Sequence, residues 1–101
     1  MPFQWNININ RALGRTPPVK FDPNPLPNVA PGDQVVWVNN DSASAHWPGL
    51  KNADGSIDKT FFMANQIAPS STSTTFVPSA AGTFNYVCSL HPQETGSIQV
   101  G

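Results

Sequence analysis

Residues 82–100 read GTFNYVCSLHPQETGSIQV and hold the chain's only cysteine, Cys88, together with one of its two histidines, His91. In GTFNYVC the period of a strand places Phe84, Tyr86 and Cys88 on one face. The aromatic neighbours mark that face as core, so the thiol points inward at a strand end. GSIQV, residues 96–100, is a second short strand. Between the two lies a turn tightened by Pro92, carrying His91 three residues after Cys88 and Glu94 three residues further on.

The same alternation recurs upstream. In FQWNININ, residues 3–10, Phe3, Trp5, Ile7 and Ile9 alternate with Gln4, Asn6, Asn8 and Asn10, the pattern of a strand with one buried face. PGDQVVWVNND, residues 31–41, is a turn, a β-branched apolar run and then turn formers, as suits an inner sandwich strand. STSTTFV, residues 71–77, is a further strand, separated from GTFNYVC by PSAAG. Residues 14–32 contain six of the eleven prolines, which excludes helix and central strand and leaves loop or edge strand, with VKF at 19–21 able to pair. Residues 40–71 are the longest irregular stretch, and DKTFFMANQ at 58–66 is a weak helix candidate. About seven to eight short strands with turn signals between them predict an all-β, Greek-key antiparallel β-sandwich, one domain spanning residues 1–101.

Composition narrows the function. With 39% hydrophobic residues the chain of 101 residues can build a core. Five Lys and Arg against six Asp and Glu give a net charge of −1 with no basic stripe, which excludes nucleic acid as the expected partner. No apolar stretch approaches the roughly 20 residues a membrane-spanning helix needs, and no signal-peptide core precedes the first strand, so no membrane insertion is expected. One cysteine cannot form an intrachain disulfide, so the redox compartment is not fixed by cysteine usage.

By itself, a buried lone cysteine is a small hydrophobe. His91 changes that reading, because a thiolate and a neutral imidazole meeting at one point make half a metal site. The other histidine, His46 in NNDSASAHWPG, follows the apolar strand that ends at Asn39. In a sandwich, the ends of neighbouring strands bring such loops together at one pole. Alone, His46 reads as a surface loop residue, but two His and one Cys in trigonal array with a weaker axial ligand is the copper electron-transfer arrangement.

On these residues the sequence resembles the cupredoxins, the small blue-copper proteins and domains related to plastocyanin, amicyanin and pseudoazurin. The likeness runs from about Val29 to Val100 and is carried by APGDQVVWVNNDSASAH and AAGTFNYVCSLHPQETGSIQV. It implies His46, Cys88 and His91 as equatorial ligands of one copper ion per chain, with a short loop that fixes the ligands. In the short-loop pattern Cys-x-x-His-Pro-x-Met, an axial Met stands six residues after the Cys; here that position is Glu94, and neither Met1 nor Met63 lies on the loop. Glu94 is therefore the expected axial ligand, with Gln93 the less favoured neighbour and a three-coordinate or water-bound site, Glu94 turned to solvent, the alternative.

The resemblance implies one-electron transfer without substrate chemistry, so no enzyme is expected. It also implies a monomer, a redox partner docking near the His91 edge, and a periplasmic or extracellular location. An apolar collar of Trp47, Pro48, Leu90 and Pro92 would surround that edge. The family also implies the Ser89 backbone N–H as a hydrogen-bond donor to the Cys88 sulfur. The alternative function is a non-redox copper or zinc module for binding, storage or sensing, since Cys, two His and Glu also satisfy tetrahedral zinc. A Cys–His thiol hydrolase would bring its pair together from distant parts of a larger chain around a cleft that nothing here suggests.

Overall fold

Among the described residues, eight strands carry the alternating and β-branched runs: β1 Gln4–Arg11, β2 Val19–Asp22, β3 Leu26–Val29, β4 Gln34–Asn39, β5 Pro48–Lys51, β6 Ile57–Asp58, β7 Gly82–Cys88 and β8 His91–Val100. The structure, a computed structural model, describes residues 3–11 and 19–101. Pro17 and Pro18 of the proline-rich stretch lie outside these residues. The strands form two sheets, β2-β1-β4 and β3-β8-β7-β5-β6, giving the expected all-β sandwich. Pairing is mixed rather than wholly antiparallel, because β1 runs parallel to β4 and β3 parallel to β8. Among the described residues, no helix is long and apolar enough to cross a membrane.

The proline-rich stretch yields two strands at sheet edges. VKF pairs with β1 as the sequence allowed, and Leu26–Val29, which contains Pro27, lies at the outer edge of the larger sheet, where a missing N–H costs no ladder bond. STSTTFV does not form a regular strand. It runs beside β4 with isolated bridges at Val35–Phe76 and Val38–Thr72, and between them the Trp37 N–H donates to the Ser73 hydroxyl instead of a backbone carbonyl. DKTFFMANQ forms no helix. Its apolar residues are adjacent rather than spaced by three or four, and Asp58 Oδ1 accepts the Thr60 N–H in a local turn while Phe62, Met63 and Ile67 enter the core.

The two inner faces meet around Ile7 and Ile9 of β1, Val35 and Trp37 of β4, Tyr86 and Cys88 of β7 and Ile98 of β8, all fully or nearly fully buried. Tyr86 sits edge-on between Phe21 and Trp37, with ring centroids 4.9 and 5.6 Å away. Gly96 faces Tyr86 across the β7–β8 ladder, and a Cβ at Gly96 would overlap the phenol ring. Gly96→Ala is therefore expected to cost roughly 1–3 kcal/mol through overpacking, read as a lower urea midpoint. An unchanged midpoint would mean that the ring does not lie against Gly96.

The β7–β8 connection sets up the pole of the sandwich. The last strand begins at His91, five residues before the expected Gly96, because Ser89 and Leu90 close a tight turn and Cys88 pairs directly with His91. Val87 then pairs with Thr95, which leaves Pro92, Gln93 and Glu94 unopposed in a bulge. A bulge bends its strand and re-aims side chains. Here it allows His91 and Glu94, three residues apart, to turn toward the same thiol.

Candidate metal centre

Cys88 ends β7 fully buried, and three side chains converge on it. Its Sγ lies 3.5 Å from His91 Nδ1 and 3.8 Å from His46 Nδ1. Glu94 Oε1 lies 2.9 Å from His46 Nδ1 and 3.4 Å from His91 Nδ1. One donor atom from each of the four residues falls within 4.8 Å of the other three. Around a tetrahedral or trigonal ion, bonds of about 2.0–2.3 Å place neighbouring donors about 3.4–3.8 Å apart. Three of the four separations match that spacing. The fourth, His46 to Glu94, is a hydrogen bond and must open by about half an ångström to admit an ion. The donor set of one thiolate, two imidazoles and a carboxylate suits copper or zinc.

His46 reaches this point from the loop after β4, which two backbone bonds fasten to the core: the His46 N–H donates to Ile67 O at 3.1 Å, and the Ile67 N–H to His46 O at 2.8 Å. Buried Asn39 shapes the loop, its side-chain amide donating to the carbonyls of Ser44, Ile67 and Ala68 while its Oδ1 accepts the Asp41 N–H. His46 is fully buried and Glu94 nearly so, whereas 40% of the His91 side chain is exposed.

The sequence reading of the sulfur's hydrogen bond is corrected. The Ser89 N–H donates to Trp47 O at 2.7 Å, and it is the Trp47 N–H that reaches Cys88 Sγ, at 3.4 Å. The cause is the pairing of β5 with β7, which sets Pro48 opposite Cys88 and so brings the peptide before Pro48 over the thiol. The expected collar shrinks for the same reason. Pro48 is buried, and Trp47 is half-buried against the core with Lys59 Nζ 5.8 Å from its ring centroid, so Leu90 and Pro92 are left as the exposed apolar flank of His91.

Two residues of the pole escaped the sequence reading. Asp41 is buried behind the imidazole: its Oδ2 lies 3.0 Å from His46 Nε2, and Arg11 at the end of β1 grips both carboxylate oxygens at 3.1 and 3.0 Å. Asp41 stands five residues before His46 in the quoted motif, a signal that existed; Arg11 offered none. Burial opposes ionisation of Asp41, but hydrogen bonds from Arg11, His46 and the Ala43 N–H hold its carboxyl well below the usual range. A cleft of about 420 Å³ between Arg11 and Leu90–Glu94 opens onto His46 and Glu94.

Burial alone would lower the pKa of His46, but hydrogen bonds to Cys88, Glu94 and Asp41 outweigh it and push the value up from 6.5 to about 10. In the metal-free protein the ring is then an imidazolium bridging two carboxylates. Because the folded value lies above the unfolded one, this contribution to stability is complete below about pH 6.5 and is lost as pH rises toward 10. The denaturation midpoint of the metal-free protein is expected to fall across that window; a midpoint that stays level or rises would contradict the bridge.

No protein-family model matches the sequence, and a search of curated proteins finds no significant match. Solved structures do match. A purple cupredoxin from Nitrosopumilus maritimus superposes with a TM-score of 0.78 at 22% identity, covering 95% of this chain and 98% of that one. A Cu(I) form of an amicyanin variant gives 0.74 at 19% identity, covering 100% of this chain and 85% of that one. A reduced Cu(I) form of a second amicyanin variant, determined at pH 4, gives 0.71 at 21% identity, covering 95% and 80%. Two facing sheets of three and five strands, matched to these structures over 95–100% of this chain, give it the cupredoxin fold.

Proposed function

We propose that residues 1–101 form one monomeric domain that binds a single copper ion through His46, Cys88, His91 and Glu94 and passes single electrons without substrate chemistry of its own. The observation that carries this reading is the convergence of four donor atoms, one per residue, within 4.8 Å at a largely buried pole. Copper, when bound, supplies the one-electron couple, and the chain supplies placement. Strand pairing and the tight turn fix Cys88 and His91, and the Ile67 bridge fixes His46, so the ligands need little rearrangement between oxidation states. The Trp47 N–H withdraws electron density from the Cys88 sulfur. His91 is the one donor residue with an exposed edge, and Leu90, 44% exposed, flanks it, offering an electron exit and an apolar contact for a redox partner. The copper-bearing amicyanin structures support this reading, and with it goes the proposal of a periplasmic or extracellular location.

The donor spacing also suits tetrahedral zinc, which keeps a non-redox module as the second reading. Redox cycling separates the two. Copper-loaded protein is expected to bleach with ascorbate and regain its full colour on reoxidation, one electron per chain. A colourless protein that selects Zn(II) over copper would support the second reading. His46→Ala and His91→Ala are each expected to weaken Cu(II) binding at least about tenfold, since each removes one of three strong donors. Unchanged affinity in His46→Ala, measured by competition with a chelator, would remove the long loop from the site.

A further inference from the structure

Of the two ring nitrogens of His46, Nδ1 faces Cys88 and Glu94, while Nε2 faces away toward Asp41. A metal needs the lone pair on Nδ1, so the proton must reside on Nε2. Only an acceptor on the far side can hold it there. Asp41 is that acceptor, with both side chains almost fully buried and 3.0 Å between Oδ2 and Nε2. An ionised carboxylate accepts hydrogen bonds and donates none, so it admits one tautomer only.

Asp41 is itself fixed from outside the loop. Arg11 donates from Nε to Oδ1 and from Nη2 to Oδ2, and the Ala43 N–H also donates to Oδ1. The guanidinium and the imidazole therefore share Oδ2. Arg11, on a different strand from every donor of the cluster, has a side chain 37% exposed and forms one wall of the cleft at the site.

We propose that Asp41 is the positioning residue of the metal-binding imidazole and that Arg11 sets how strongly it acts, in a chain running from Arg11 through Asp41 to His46 Nε2. This inference rests on the reading that the cluster holds a metal. A carboxylate behind a ligating histidine raises the basicity of the ligating nitrogen, which favours Cu(II) over Cu(I) and strengthens Zn(II) binding. Arg11 competes for the same oxygen and moderates that donation.

The two ends of the chain therefore have opposite effects. Asp41→Asn places an amide behind the ring, losing the anion and allowing the wrong tautomer. It is expected to weaken Zn(II) and Cu(II) binding about 10- to 100-fold. A tenfold loss of preference for Cu(II) over Cu(I) raises the potential by about 59 mV. Arg11→Gln leaves Asp41 in place, frees its oxygen for His46, and is expected to lower the potential.

The experiment measures Zn(II) affinity by chelator competition and copper potential by voltammetry in the unmodified protein, Asp41→Asn and Arg11→Gln, with circular dichroism to confirm folding. Opposite shifts in potential support the proposal, because a merely structural role predicts the same sign or none. If Asp41→Asn does not fold, a lower potential in Arg11→Gln supports the proposal and an unchanged or higher one overturns it. Identical affinity and potential in all three proteins overturn this inference alone. Failure of the unmodified protein to bind either metal overturns the site reading and this inference with it.

Discussion

Cys88→Ser is expected to abolish the intense visible colour of the Cu(II)-loaded protein while leaving the sandwich folded. That band requires copper–thiolate covalency, which no other residue supplies, because the chain contains one cysteine. The fold should survive because the hydroxyl is nearly isosteric with the thiol and finds partners in place: the Trp47 N–H and the two imidazole nitrogens that surround the sulfur. A buried hydroxyl with such partners costs about 1 kcal/mol or less, against several for an unpaired one. Intense colour retained in Cys88→Ser would remove the thiolate from the site.

Glu94→Met is expected to shift the colour toward blue and raise the reduction potential by on the order of 100 mV or more. A carboxylate is a harder donor than a thioether and is negative, so it favours Cu(II). A preference of roughly 3 kcal/mol corresponds to about 130 mV for a one-electron couple, at about 59 mV per tenfold change. The geometry makes the substitution informative. Glu94 is buried with Oε1 2.9 Å from His46 Nδ1, so a carboxylate in this position stands among the donors rather than in solvent. Identical spectra and potentials in the two proteins would mean that Glu94 does not touch the metal.

The parts of the fold legible in the sequence were those where alternation and core burial coincide. Ile7 and Ile9 in β1 and Tyr86 and Cys88 in β7 enter the core as their period predicts, and Val35 and Trp37 of β4 enter it as part of a continuous apolar run. What escaped depended on pairing between distant segments. Nothing local in STSTTFV announces that the Ser73 side chain will replace a rung of the ladder, and nothing in HPQE announces a bulge, because a bulge is defined by the opposing strand. The site divides in the same way. His46, Cys88 and His91 were singled out by residue type and spacing and Glu94 by the resemblance, and the structure brings all four together. The hydrogen bond to the sulfur was misassigned because it comes from Trp47, whose position over Cys88 is set by β5 pairing with β7. Arg11 was invisible because it meets Asp41 only through the parallel pairing of β1 and β4.

The most direct test of the metal centre is a Cu(II) titration of the metal-free protein followed by absorption and electron paramagnetic resonance. The account predicts an intense thiolate-to-copper band that grows linearly and stops at one equivalent, with a single Cu(II) signal, blue shifted toward red or green by the carboxylate at Glu94. A weak d–d spectrum without a thiolate band, or binding that does not saturate at one equivalent, would contradict it.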